Sequence, residues 1–169
     1  MRVDVLRLCG IPVILGGTHL ADSPAMGRIL VVDHDDSTVE AMATLLGQDG
    51  HEVQGFTSGK EAVAALRGDR AFDVVITDLE MPVVDGAAVT RAARRSSPTT
   101  CIVVTNRGAA NRSRLEDDGA CLVLEKPIEY EVMHREITAC RAVGGHAGPR
   151  CARLCPGVRG ELAAIHRRR

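Results

Sequence analysis

Asp78 closes the apolar run Val74-Val75-Ile76-Thr77 and opens a turn-prone segment, Leu79-Glu80-Met81-Pro82-Val83-Val84-Asp85-Gly86. A carboxylate at the mouth of a buried strand, on a Pro/Gly loop, is placed for chemistry rather than for packing. Other polar residues end apolar runs in the same way. Asp33 follows Ile29-Leu30-Val31-Val32, Thr105 closes Cys101-Ile102-Val103-Val104, and Lys126 stands just past Leu122-Val123-Leu124. Adjacent carboxylates repel one another unless a hard cation such as Mg2+ lies between them. A hydroxyl and an ammonium hold phosphoryl oxygens. Carboxylate nucleophile, divalent cation, Lys and Thr together describe phosphoryl transfer onto an aspartate. Pro127 pins the backbone behind Lys126, and the peptide between them is open to either the cis or the trans form.

The elements that must carry these groups follow from hydrophobic periodicity. Strands are predicted at Ile29 to Val32, Val53 to Phe56, Val74 to Thr77, Cys101 to Thr105 and Leu122 to Leu124. Each is followed by a helical pattern. In the first, Val39, Met42, Ala43 and Leu46 fall at i, i+3, i+4 and i+7, with Ser37 and Glu40 as a capping box and Asp49-Gly50 as the stop. Asp35 and Asp36 read as charges favoured by the helix dipole. The second starts at Ser58 or Gly59 and carries Ala62, Val63, Ala65 and Leu66. The third covers Gly86 to Arg95, the fourth is a weak helix over Asn111 to Asp118, and the fifth runs from Glu129 to Val143 with Tyr130, Met133, Ile137 and Cys140 on one stripe. Continuous apolar strands alternating with helices imply an α/β fold: a five-stranded parallel sheet with helices on both faces, doubly wound with right-handed crossovers. The polar residues named above then share the carboxyl edge of that sheet, where ligands of open α/β sheets bind.

Composition is consistent with this. The chain has 169 residues, 45% hydrophobic and 25% charged, and only 2% aromatic, so Leu, Val, Ile and Ala must fill the core. No run of about 20 apolar residues suggests a membrane span. The net charge of -1 conceals an asymmetry: residues 26–143 hold 13 basic and 19 acidic side chains, whereas 144–169 hold six Arg and one Glu. Of the six cysteines, three sit in apolar patterns and suit a reducing, cytoplasmic location. Cys151 and Cys155, with His146 and His166 near, lack a framework rigid enough for a tetrahedral metal site. Residues 1–25 read as a disordered leader, or as a non-native extension if Met26 is the natural start. Residues 144–169 read as a disordered basic tail rich in Gly, Pro and Arg. No helix-turn-helix or interleaved aromatics accompany the Arg residues, so nucleic acid is not an expected partner.

Residues 26–143 resemble the receiver domain of two-component response regulators, through Ile29 to Asp36, Asp73 to Gly86, Ile102 to Thr105 and Gly119-Ala120 through Lys126-Pro127. The order and spacing of these pieces are jointly specific. The resemblance implies a flavodoxin-like (βα)5 fold with sheet order 2-1-3-4-5. It implies Asp78 as phosphoacceptor, with Thr105 as switch hydroxyl and Lys126 as phosphoryl-binding Lys. It places Mg2+ on Asp33, Asp78 and the Glu80 backbone carbonyl, and has Glu80 and Arg107 tune hydrolysis. It implies a phosphoacceptor rather than an enzyme, with autodephosphorylation as its self-catalysed step. A sensor histidine kinase or a phosphotransfer protein would supply the phosphoryl group. A downstream protein would read the face of the fourth helix, fifth strand and fifth helix. With 26 residues after Val143, a conventional DNA-binding output domain does not fit, which points to a stand-alone receiver.

The sequence departs from the family's pattern at several positions. His34 stands where the family has a second acid; imidazole suits softer metals than Mg2+, and a tolerated surface His is the plainer reading. Asp35 is the alternative acid that could reach in. Val123 replaces an aromatic switch residue, and Asn106 follows Thr105 where small residues are usual. These departures motivate a rival, an unphosphorylated receiver-like scaffold. A second rival rests on Asp33-x-Asp35-x-Ser37, which resembles the first motif of haloacid-dehalogenase-type phosphatases and would make Asp33 the nucleophile.

Overall fold

The computed structural model describes residues 26–68, 71–96 and 99–142. The leader and the whole of the tail, with the tail's Cys and His residues, lie outside them.

Five strands form one parallel sheet in the order β2-β1-β3-β4-β5. They are β1 (Arg28–Val32), β2 (Glu52–Phe56), β3 (Val74–Asp78), β4 (Thr100–Thr105) and β5 (Leu122–Glu125). The helices are α1 (Asp36–Gln48), α2 (Gly59–Leu66), α3 (Gly86–Ser96), α4 (Gly108–Asp118) and α5 (Tyr130–Ala142). The doubly wound, flavodoxin-like expectation therefore holds, and the register aligns the strand ends: Val32 pairs with Thr77, and Asp78 with Val104.

Side chains along a strand alternate between faces, so each apolar run feeds two cores. Ile29, Val31, Val74, Ile76, Ile102 and Val104 pack with Leu46 of α1 and with Met133 and Ile137 of α5. Leu30, Val32 and Val75 pack on the other face with Ala62 and Leu66 of α2 and Val89 and Ala93 of α3. Leu115 is the buried apolar residue by which α4 joins Val103 and Val123, in keeping with its weak pattern. The Cys101 and Cys140 side chains are buried, as the apolar context implied. Burial pushes the Cys101 thiol well above its ordinary range.

Two details differ from expectation. The N-cap of α1 is Asp35, not Ser37: the Asp35 carboxylate accepts from the Ser37 N–H at 3.1 Å and from the Thr38 hydroxyl at 2.8 Å. Asp and Ser both suit a cap, and the earlier residue captures the exposed amides. The fourth helix begins at Gly108, one turn before Asn111.

Candidate functional site

Asp78 is the last residue of β3, and Asp33, Thr105 and Lys126 stand at the ends of β1, β4 and β5. The parallel register thus brings residues 93 positions apart into contact. The Lys126 ammonium donates to Asp33 Oδ2 at 2.9 Å and lies 3.2 Å from Asp78 Oδ1. Both carboxylates are withdrawn from water: Asp33 is 5% and Asp78 2% exposed. Burial works against the charged amine, but Asp33 and then Asp78 more than offset it, so the Lys126 pKa stands above its ordinary 10.5. The Lys126–Pro127 peptide is cis. These carboxylates form one wall of a cavity of about 520 Å³ between α1 and α5, whose apolar lining includes Met42, Ile128 and Met133.

Thr105 is fully buried, and its hydroxyl donates to Glu80 Oε1 at 2.9 Å. The same oxygen accepts the Arg107 N–H at 3.0 Å. Arg107 enters through its backbone and caps no helix end with its side chain. Val123 is buried among Ala87, Val103 and Leu115, and its carbonyl accepts from Arg112 of α4 at 3.0 Å. No aromatic ring occupies that position.

His34 lies at the surface, as expected, but its ring also meets the carboxylates. Its ring is half exposed, yet Nδ1 lies 3.0 Å from Asp78 Oδ2 and 3.4 Å from Asp33 Oδ1. The cause is local. The Asp35 N–H donates to Asp33 Oδ1 at 3.0 Å, a tight turn that folds the imidazole back over the carboxylates. Asp35 itself, occupied with capping, does not reach in. This also removes the Asp33/Asp35 pair that the phosphatase rival requires.

The donor set fits a divalent cation. Ligand atoms of Asp33, His34 and Asp78 all lie within 4.8 Å of one another. Asp78 Oδ1 is buried and accepts no well-directed hydrogen bond, having only the nearby ammonium to balance it. Such an atom calls for an electropositive partner.

The loop after Asp78 is held by close backbone approaches. A Cβ on Gly86 would meet the Asp78 carbonyl oxygen at 2.1 Å, and one on Gly59 would meet the Val84 carbonyl oxygen at 2.2 Å. Between them Val83 is 98% exposed and has φ 66°, a left-handed conformation that a β-branched residue resists.

The Response regulator receiver domain family matches residues 29–138. The chain belongs to that family. Among similar receivers, Protein PilH of Pseudomonas aeruginosa is 30% identical over 121 residues, covering 69% of this chain and 99% of that protein. A response regulator receiver protein of Anaeromyxobacter sp. is 33% identical over 105 residues, 61% of this chain and 44% of that protein. The chain thus spans less than half of some curated relatives it matches. The chemotaxis response regulator CheY4 of Vibrio cholerae superposes with a TM-score of 0.60 at 28% identity, covering 66% of this chain and 96% of that one. TrrA of Thermotoga maritima, solved in complex with Mg(2+)-BeF, superposes with a TM-score of 0.58 at 27% identity, over 66% of this chain and 96% of that one. Phosphorylation and Mg2+ binding at the acidic pocket are general properties of this receiver family. Among the described residues no helix is long and apolar enough to cross a membrane.

Proposed function

We propose that residues 26–143 act as a receiver that accepts a phosphoryl group on Asp78 and thereby switches a protein–protein contact. The observation that carries this reading is the Lys126 ammonium lying within 3.2 Å of both Asp33 and Asp78, beside the Thr105 strand end. An Asp78 oxygen forms the bond to phosphorus as the phosphorus–nitrogen bond to the donor's imidazole breaks. Asp33 and Asp78, with the Glu80 backbone carbonyl, would hold a divalent cation such as Mg2+. Bound there, the cation neutralises charge that accumulates on the phosphoryl oxygens.

The chain's own groups do the rest. Lys126 is already aimed at the acceptor carboxylate and binds a phosphoryl oxygen as a point charge. Thr105 exchanges its bond to Glu80 for one to the phosphoryl group, which releases Glu80 and draws the start of α4 through the Arg107 amide. That exchange shifts a pre-existing equilibrium between two arrangements of the β4–α4 segment. Glu80 and Arg107 flank the mouth and tune hydrolysis. A buried valine at position 123 cannot swing as a ring does, so transmission to the face of α4, β5 and α5 runs through α4 itself and its Arg112 bond to the β5 backbone. The donor is a sensor histidine kinase or a phosphotransfer protein, and the reader is a cytoplasmic protein.

Incubation with acetyl phosphate and a divalent cation, followed by intact mass, tests the reading. One phosphoryl adduct is expected, absent in Asp78→Asn. A protein that takes up no adduct under conditions where it folds and binds cation would instead be an interaction scaffold.

A further inference from the structure

We infer that His34 is a direct ligand of the cation in this pocket, and that the site thereby favours a cation that accepts a nitrogen donor more readily, such as Mn2+, over Mg2+. This rests on the reading above that the pocket holds a divalent cation.

The first argument is placement. The imidazole Nδ1 approaches Asp78 Oδ2 and Asp33 Oδ1 at 3.0 and 3.4 Å, so one atom bridges both carboxylates. It does so through the turn that the Asp33 carboxylate and the Asp35 N–H close around it. The second argument is acceptor capacity. Asp78 Oδ1 is buried, and the Lys126 ammonium 3.2 Å away makes no well-directed hydrogen bond to it, so this oxygen keeps acceptor capacity for a cation. The third is elimination. Asp35, the acid that could have made an all-oxygen set, is spent on the Ser37 amide and the Thr38 hydroxyl.

What remains is two carboxylates, one imidazole nitrogen and backbone oxygen. Mg2+ takes oxygen donors and gives up water reluctantly. Across the divalent series nitrogen donors raise affinity for Mn2+ and its later neighbours relative to Mg2+. The half-exposed ring has room to move from its present contact toward a shared cation.

The test uses the full chain and Mn2+ itself. Binding is read as loss of the free aquo-ion signal in electron paramagnetic resonance, with Mg2+ as competitor. Pulsed measurements on bound Mn2+ read nitrogen coupling directly. Wild type should show imidazole coupling, and His34→Gln should lose it while weakening Mn2+ by about tenfold, the scale on which even outer-sphere substitutions act. His34→Asp should lose the coupling, keep the cation, and move the Mn2+/Mg2+ preference toward Mg2+ by about tenfold or more. Asp33→Asn should abolish binding of either ion. Bound Mn2+ without nitrogen coupling, coupling that survives in His34→Gln, or no binding at all would overturn the inference. Acetyl phosphate labelling followed by mass keeps the two readings apart. An adduct formed without nitrogen coupling sinks the ligand and leaves the phosphoacceptor. Coupling without an adduct does the reverse.

Discussion

The Lys126 ammonium lies against both buried carboxylates, so its removal has a calculable consequence. Lys126→Met keeps most of the aliphatic stem and deletes the charge. Stripping one partner from a fully buried ion pair costs about 3–5 kcal/mol, while exposed pairs are worth about 0–1 kcal/mol. The Lys126 side chain is 27% exposed and its partners 7% and 1%. The expected loss therefore lies between those limits, about 2–3 kcal/mol at pH 7 without added metal. For a domain of this size that lowers Tm by about 10 °C. The sign of the pH dependence follows. In the variant the two buried carboxylates face each other without the ammonium that lay against both. In wild type the Lys126 pKa is raised above 10.5, so its contribution is complete below that value and disappears only as pH climbs through the raised one. A divalent cation at a hundred times its Kd adds about 2.7 kcal/mol to the stability of whichever protein binds it. Thermal unfolding followed by circular dichroism at pH 5, 7 and 8, with and without Mn2+, measures all of this. A variant as stable as wild type at pH 7 would refute the reasoning.

Val83→Gly should stabilise the protein by about 1 kcal/mol in urea unfolding, because the exposed isopropyl packs against nothing and its left-handed backbone is relieved. Gly86→Ala should destabilise by about 2 kcal/mol and slow phosphoryl uptake, since its Cβ collides with the Asp78 carbonyl, and labelling rate and unfolding midpoint together check it. The Asp35 carboxyl is held below its usual 3.8 by the Thr38 hydroxyl first and the Ser37 amide after burial's small opposing effect. Its cap is therefore intact above that pH and fades as pH falls through the lowered value, so the stability gap between wild type and Asp35→Ala should shrink in acid.

The strands were legible because a sheet covered on both faces needs side chains that are apolar at consecutive positions, and Ile29 to Val32 or Cys101 to Val104 have no other use. The groups at their ends were legible for the complementary reason: a polar residue terminating such a run has nowhere to go but the sheet edge. Strand order was not in the periodicity at all; it came with the family resemblance, and β2-β1-β3-β4-β5 agrees. The contact of His34 with the carboxylates was not legible, because it depends on a side-chain turn between Asp33 and the Asp35 amide that residue type alone does not announce. The same competition for amides decided the α1 cap in favour of Asp35 over Ser37. Val83 carries no warning either, since nothing in its identity suggests a positive φ. The Thr105–Glu80 bond joins β4 to the loop after β3 and could be read only once those strands were known to be neighbours.

The two bare α-carbons beside the acceptor loop have a mechanical corollary. Gly86 sits on the carbonyl of Asp78 and Gly59 on that of Val84, main chain against main chain. Nothing compressible separates them, so the segment from Leu79 to Asp85 behaves as a rivet through β3, α3 and the head of α2. A displacement at the acceptor is handed on whole instead of being dissipated in rotamers. Adaptation of this pocket is accordingly channelled to the strands on either side, where His34 and Thr105 stand, because the rivet itself tolerates no added bulk.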